Sequence, residues 1–165
     1  MYKHLFFICP TDYIEPAINE SFKHKNYFYS SLGNSMIFDF DTTYVIEHLI
    51  KQHGIKEVSF VLSDDNIIIS DAIGEQNFFD IKGLHHFHNE IIRQKKISSV
   101  SWQKGNDRYL MLSCFLNQKI DELQIKLEGL LTEPIKISGK IYNRKEQIFT
   151  GIYFYLIRSE NLNLN

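Results

Sequence analysis

The run Leu5-Phe6-Phe7-Ile8 constrains this chain more than any other segment. Four large apolar residues in succession leave no polar face, so a strand built from them is buried on both sides. Such strands belong to parallel sheets covered by helices, which makes α/β the expected class. The following segments agree. Residues 12–23 read as a short helix with Asp12 near its start and Pro16 in its first turn, where a missing N–H costs nothing. Tyr27-Phe28-Tyr29 reads as a second strand and Gly33-Asn34 as a turn. Asp41 is the expected N-cap of a helix in which Val45, Ile46, Leu49 and Ile50 share a face and Gly54 closes the end. Val58 to Leu62 is a third strand, and strand–helix–strand order favours parallel pairing through right-handed crossovers. Residues 85–96 and 108–131 read as helices. The second carries Leu112, Phe115, Leu116, Ile120, Leu123, Leu127 and Leu130 at helical spacing. Residues 135–142 and 148–155 partly alternate around Asn143-Arg144-Lys145-Glu146, which predicts a C-terminal hairpin.

A chain of 165 residues, 44% hydrophobic and 23% charged, suits one globular domain, expected over 1–158 with a frayed polar tail at 159–165. Eighteen Lys+Arg against twenty Asp+Glu leave a net charge of −2, which lacks the basic footprint of a nucleic-acid partner. No segment is long enough to cross a bilayer, and Leu5 to Cys9 is too short even for the core of a signal peptide. A cytoplasmic location is therefore expected. Cys9 and Cys114 are too few for a disulfide framework and would stay reduced there.

Ligands of α/β sheets bind beyond the carboxyl ends of the strands. The first strand runs into Cys9-Pro10-Thr11-Asp12-Tyr13 and the third into Ser63-Asp64-Asp65-Asn66. Between and after them stand Leu32-Gly33-Asn34 and Tyr44-Val45-Ile46-Glu47-His48-Leu49. Later come Val58-Ser59-Phe60-Val61-Leu62, Asn117 followed by Leu123 and Pro134, and Ile137-Ser138-Gly139-Lys140-Ile141-Tyr142-Asn143. In this order the segments resemble the β-class carbonic anhydrases over nearly the whole chain. The resemblance implies a mostly parallel central sheet with flanking helices and a C-terminal hairpin, assembled as a dimer. It also implies a zinc ion held by a cysteine after the first strand and by a histidine and a second cysteine after the third. The metal-bound hydroxide there attacks carbon dioxide beside an orienting Asp–Arg pair.

The chemistry departs from that pattern. Ser63 stands for the family's glycine, Asp64 for its histidine ligand and Ile67 for its second cysteine. Thr11 and Tyr13 replace the Asp and Arg of the first motif, with Asp12 one position off. Only Cys9 remains of three protein ligands, and zinc needs three or four good donors. The expectation is a zinc-free, non-catalytic relative without a cofactor. Its candidate vestigial cleft would hold Cys9, Thr11, Asp12, Tyr13, Gly33, Asp64, Asp65 and Ile67. The alternatives are a hydrolase or lyase using Cys9 with Asp12, Asp64 or Asp65, or a carbonic anhydrase with a rebuilt zinc site. In the plainer reading the aspartates cap turns in solvent, and His85-His86-Phe87-His88 is a polar helix start. Phe22, Tyr27, Phe28, Tyr29, Phe78, Phe79 and Phe87 exceed the needs of one small core, which points to a homodimer interface or an aromatic-lined pocket.

Overall fold

A computed structural model describes residues 1–101 and 107–153. The apolar run forms β1 (Lys3–Ile8), buried on both faces as expected. It pairs in parallel with β2 (Lys25–Ser30) on one side and β3 (Glu57–Ser63) on the other. β4 (Lys136–Asn143) adds in parallel to β3, and β5 (Ile148–Gly151) closes the hairpin antiparallel to β4. The sheet order is β2-β1-β3-β4-β5. The second half of the expected hairpin continues past residue 153, and it lies outside the described residues there. The same holds for the expected polar tail at 159–165 and for the domain boundary before it.

Period-two alternation divides the sheet into two unequal faces. Leu5, Phe7 and Cys9 of the first strand segment, with Val58, Phe60 and Leu62 of β3, face the main core. Four helices supply its other wall: α2 (Phe40–His53), α3 (Ile67–Ile73), α4 (Leu84–Ser101) and α5 (Asp107–Leu127). The Phe7 and Phe60 rings stack at 4.7 Å between neighbouring strands, and Phe38 packs edge-on against both. The opposite face carries Phe6, Ile8 and Val61, covered by Ile14 and by Ile18 of the short helix α1 (Glu15–Ser21).

Three local expectations shift. The helix expected over 12–23 divides into a 3-10 turn (Pro10–Asp12) and α1, because Tyr13 between them takes left-handed backbone angles (φ 52°). The N-cap of α2 is Asp39 rather than Asp41. Asp39 Oδ1 accepts the Thr42 N–H at 2.8 Å, while Asp41 sits inside the first turn. Gly54 closes α2 as expected, its left-handed backbone returning N–H to the Ile50 and Lys51 carbonyls. α3 has no counterpart in the sequence reading. Its start is fixed by Asn66, whose side chain accepts the Ile69 N–H. Phe87 is core, Phe22 and Phe28 pack on the smaller face, and Tyr27, Tyr29 and Phe78 pack on the main core. Phe87 is thus inside the core, while Phe22, Tyr27, Phe28, Tyr29 and Phe78 lean on the two core clusters and stay partly exposed. The exposed apolar side chains include Ile37, Phe40, Tyr44 and Val45, which lie around the start of α2.

The smaller face is polar at the amino ends of its strands. His4 Nε2 lies 2.9 Å from Ser59 Oγ, which lies 2.7 Å from Ser138 Oγ. Glu57 accepts from the Tyr2 hydroxyl at 2.9 Å and pairs with Lys136 at 3.0 Å. The imidazole of His4 stacks on Phe6 at 4.0 Å. Burial pushes its pKa down to about 4, against the pull of Glu57 and with help from Lys140, His24 and Lys136. An unfolded histidine titrates near 6.5, so the unfolded chain binds the extra proton between these values. His4 thus costs nothing above pH 6.5 and destabilises the fold as pH falls from there to about 4. Between pH 7 and pH 4.5, urea unfolding should show a loss of about 2–3 kcal/mol that is absent in His4→Gln.

Candidate functional site

The carboxyl ends of β1 and β3 lie side by side, and a buried carboxylate joins the loops that follow them. Asp12 is 1% exposed. Its Oδ2 accepts the Ser63 N–H at 2.9 Å and its Oδ1 accepts from Asn66 Nδ2 at 2.8 Å. Asn66 caps α3 with its other side-chain atom, so one side chain ties the 3-10 turn to the start of that helix. Burial pushes the Asp12 carboxyl pKa up, opposed by these two bonds and by Arg144. The expectation of a solvated turn aspartate fails here because Asp12 points inward beneath the β3 loop.

Two arginines brace the same loop from outside. Arg108, at the start of α5, donates from Nε to the Asp64 carbonyl and from Nη2 to Asn66 O and Ser70 Oγ at 3.2 and 3.0 Å. Arg144, in the hairpin turn, donates to Asp65 at 3.1 Å and to the Asp12 carbonyl at 2.9 Å. Asp65 also accepts from the Ser63 hydroxyl. The Ser63 and Arg144 bonds hold the Asp65 carboxyl below its usual range, although its partial burial opposes them. Asp64 is held through its main chain, with its N–H donating to the Tyr142 carbonyl at 2.9 Å.

Cys9 occupies a separate, apolar part of this region. It is fully buried at the cap of the 3-10 turn. Its Sγ lies 3.1 Å from Thr11 Oγ1 and accepts the Gly33 N–H at 3.1 Å. Gly33 has φ +60°, and a Cβ there would fall 2.7 Å from Phe87 Cζ and 3.2 Å from Ile68 Cγ2. The Phe87 ring and Ile68 therefore pack directly onto the turn that binds the thiol, and all three buried side chains belong to one core cluster. The position expected to replace the second cysteine, Ile67, is 54% exposed instead, and its neighbour Ile68 is the one turned inward. Tyr13 is 79% exposed. The structure thus brings Cys9, Thr11 and Gly33 together, and Asp12 with the loop of Asp64 and Asp65, while Tyr13 and Ile67 face outward.

The donor set does not suit a metal. Among the described residues no three His, Cys, Asp or Glu side chains converge so that they could hold an ion. The carboxylates nearest the Cys9 loop are engaged with main-chain N–H, asparagine or arginine groups rather than with the thiol. The histidine tract does not converge either. His88 is buried, with Nδ1 2.8 Å from the Leu84 carbonyl and Nε2 3.3 Å from Asp71, while His85 packs edge-on against Phe79. Sequence reasoning did not single out Asn66, Ile68, Arg108 or Arg144, and it placed Phe87 at an interface or in an aromatic-lined pocket. Only Asn66 carries a local signal, as a capping residue before an apolar run.

Two substitutions test this packing. Phe87→Ala should lower stability by about 3–5 kcal/mol through the cavity it leaves. It should also speed alkylation of Cys9 in the folded protein, followed by mass spectrometry against Cys114. Asp12→Ala strands the Ser63 N–H and the Asn66 amide and should cost about 2–3 kcal/mol in urea unfolding.

No protein-family model matches the chain, and no curated protein matches it by sequence. Solved structures do. The β-carbonic anhydrase CafD of Aspergillus fumigatus superposes with a TM-score of 0.72 at 16% identity, over 93% of this chain and 90% of that one. CafA of the same fungus gives 0.71 at 13% identity, over 98% and 82%. One of two tetrameric β-carbonic anhydrases from Sordaria macrospora gives 0.69 at 12% identity, over 91% and 80%. The chain has the β-carbonic anhydrase fold, at a sequence distance where the fold alone is shared.

Proposed function

We propose that this chain is a zinc-free, non-catalytic relative of the β-carbonic anhydrases, a pseudoenzyme whose former metal cleft has become core. The packing of Phe87 and Ile68 on the Gly33 turn beside Cys9 carries this reading. A thiolate zinc ligand needs partner donors and a coordination position open to water. Here the thiol accepts a main-chain N–H, contacts the Thr11 hydroxyl and otherwise lies in the apolar core cluster. Asp64, at the place of the family's histidine ligand, is bound through its main chain, and Ile67, at the place of the second cysteine, points away. The residues present do not fit the ion. A cysteine-dependent hydrolase or lyase is disfavoured for a related reason. Cys9 is buried, and its hydrogen-bond partners are Thr11 and Gly33, not a base.

The protein acts, in this proposal, as a cytoplasmic homodimer. The supporting surface is the exposed apolar group Ile37, Phe40, Tyr44 and Val45 around the start of α2, with Phe40 at 83% exposure. Clustered exposed aromatics of this kind mark protein interfaces. A tetrameric β-carbonic anhydrase among the similar structures makes self-association of this fold a reasonable precedent. No helix among the described residues is long and apolar enough to cross a membrane.

Metal analysis of untagged protein should find zinc well below one equivalent, and stopped-flow assays should find carbon dioxide hydration at the uncatalysed rate. Stoichiometric zinc that disappears in Cys9→Ser would overturn the proposal and restore the rebuilt-site alternative. Sedimentation at micromolar concentration should show a dimer, and Phe40→Ser with Tyr44→Ser should shift it to monomer. A wild-type monomer refutes the dimer without bearing on zinc.

A further inference from the structure

A cavity lies at the opposite end of the sheet from Cys9. α5 ends at Leu127, the chain turns through Gly129 (φ +75°), and it re-enters the sheet after Pro134. Between the end of α5 and the start of β4 this leaves a groove of about 670 Å³. Its floor is Leu127, Leu131, Ile135 and Ile137, all continuous with the main core. Ile125 stands at its lip, 69% exposed. The polar rim has one sign: Asp121, Glu128 and Glu133 line it, and no Lys, Arg or His does among the described residues. Glu133 pairs with Lys56 at 2.9 Å, but both side chains are well exposed, and pairs of that kind are weak enough to exchange for another cation.

We propose that this groove docks a basic amphipathic segment of another protein. The apolar floor is of a size and character that accepts side-chain anchors spaced along one face of a helix. The acidic rim then selects among apolar partners, because carboxylates around a desolvated floor favour flanking Lys or Arg and oppose Asp or Glu. An acidic or uncharged segment would leave the rim unmatched. The groove needs neither zinc nor Cys9, so this role is independent of the proposed loss of catalysis.

The test uses the full-length protein and a fluorescein-labelled helical peptide of Leu and Lys, with Leu on one face, read by fluorescence anisotropy at low and high salt. A Leu/Glu peptide of the same pattern and a Ser/Lys peptide without an apolar face are the comparisons. The Leu/Lys peptide should bind at micromolar concentration and weaken with salt. The Leu/Glu peptide should not bind, and the Ser/Lys peptide should bind about tenfold or more weakly. Ile125→Ser should weaken binding several-fold, and Glu128→Lys with Glu133→Lys by about tenfold. Glu146→Lys, in the distant hairpin turn, should leave it unchanged. All these positions are exposed, so the variants should fold, and circular dichroism checks that they do. No binding at about 100 µM overturns the proposal. Equal binding of the Ser/Lys peptide, or binding indifferent to the groove variants, reduces the effect to surface charge and overturns it as well. If instead Ile125→Ser abolishes self-association, the groove belongs to a second copy of this chain and the proposal is wrong.

Discussion

The bonds that Asp12 accepts organise the carboxyl edge of the sheet. One oxygen takes the Ser63 N–H as β3 ends, and the other takes the Asn66 amide as α3 begins. A carboxylate this deeply buried is costly unless its lone pairs are satisfied, and here N–H donors satisfy them. The consequence is geometric. The loop after β3 is held against the loop after β1, and the outer arginines Arg108 and Arg144 close it from the other side. Through Asn66, which also accepts the Ile69 N–H, that attachment reaches the first turn of α3.

The same edge holds a buried thiol without converging donor side chains among the described residues. A catalytic zinc site requires several polar donors turned toward one point and a gap for water. This chain keeps one thiol, lends it a main-chain N–H, and fills the adjoining space with an aromatic ring and a branched aliphatic side chain. Both arrangements are compatible with one fold, because the strands and their order are set by apolar packing along the strands rather than by the residues just beyond their ends. A Cβ at Gly33 would collide with Phe87, so the glycine of the turn is retained here for a packing reason.

Much of the scaffold was legible because its signals are local. The apolar runs of β1 and β3 announced buried parallel strands, and Gly54 announced the end of α2. Errors arose where two nearby residues could serve the same role. Asp39 and Asp41 both suit an N-cap, and the chain uses Asp39, whose carboxylate accepts the Thr42 N–H. α3 escaped notice because Ile67-Ile68-Ile69 reads as readily as a strand, and only the Asn66 cap argues for a helix. The site was less legible. Local spacing cannot reveal that Phe87 reaches a turn more than fifty residues earlier in the chain. Nor can it reveal that arginines from α5 and from the hairpin meet at one loop.

The sequence by itself determined the α/β class and the parallel core strands, and it put Asp64 and Ile67 where the β-carbonic anhydrase pattern has a histidine and a cysteine. Tertiary structure alone decided how the side chains around those positions are packed. It buried Asp12 under β3, turned Ile68 rather than Ile67 inward, pressed Phe87 onto Gly33, and opened an acidic apolar groove at the far end of the sheet. The reason is that strand and helix propensities act over a few residues. The filling of a cleft depends on which distant side chains the packed elements bring to the same point.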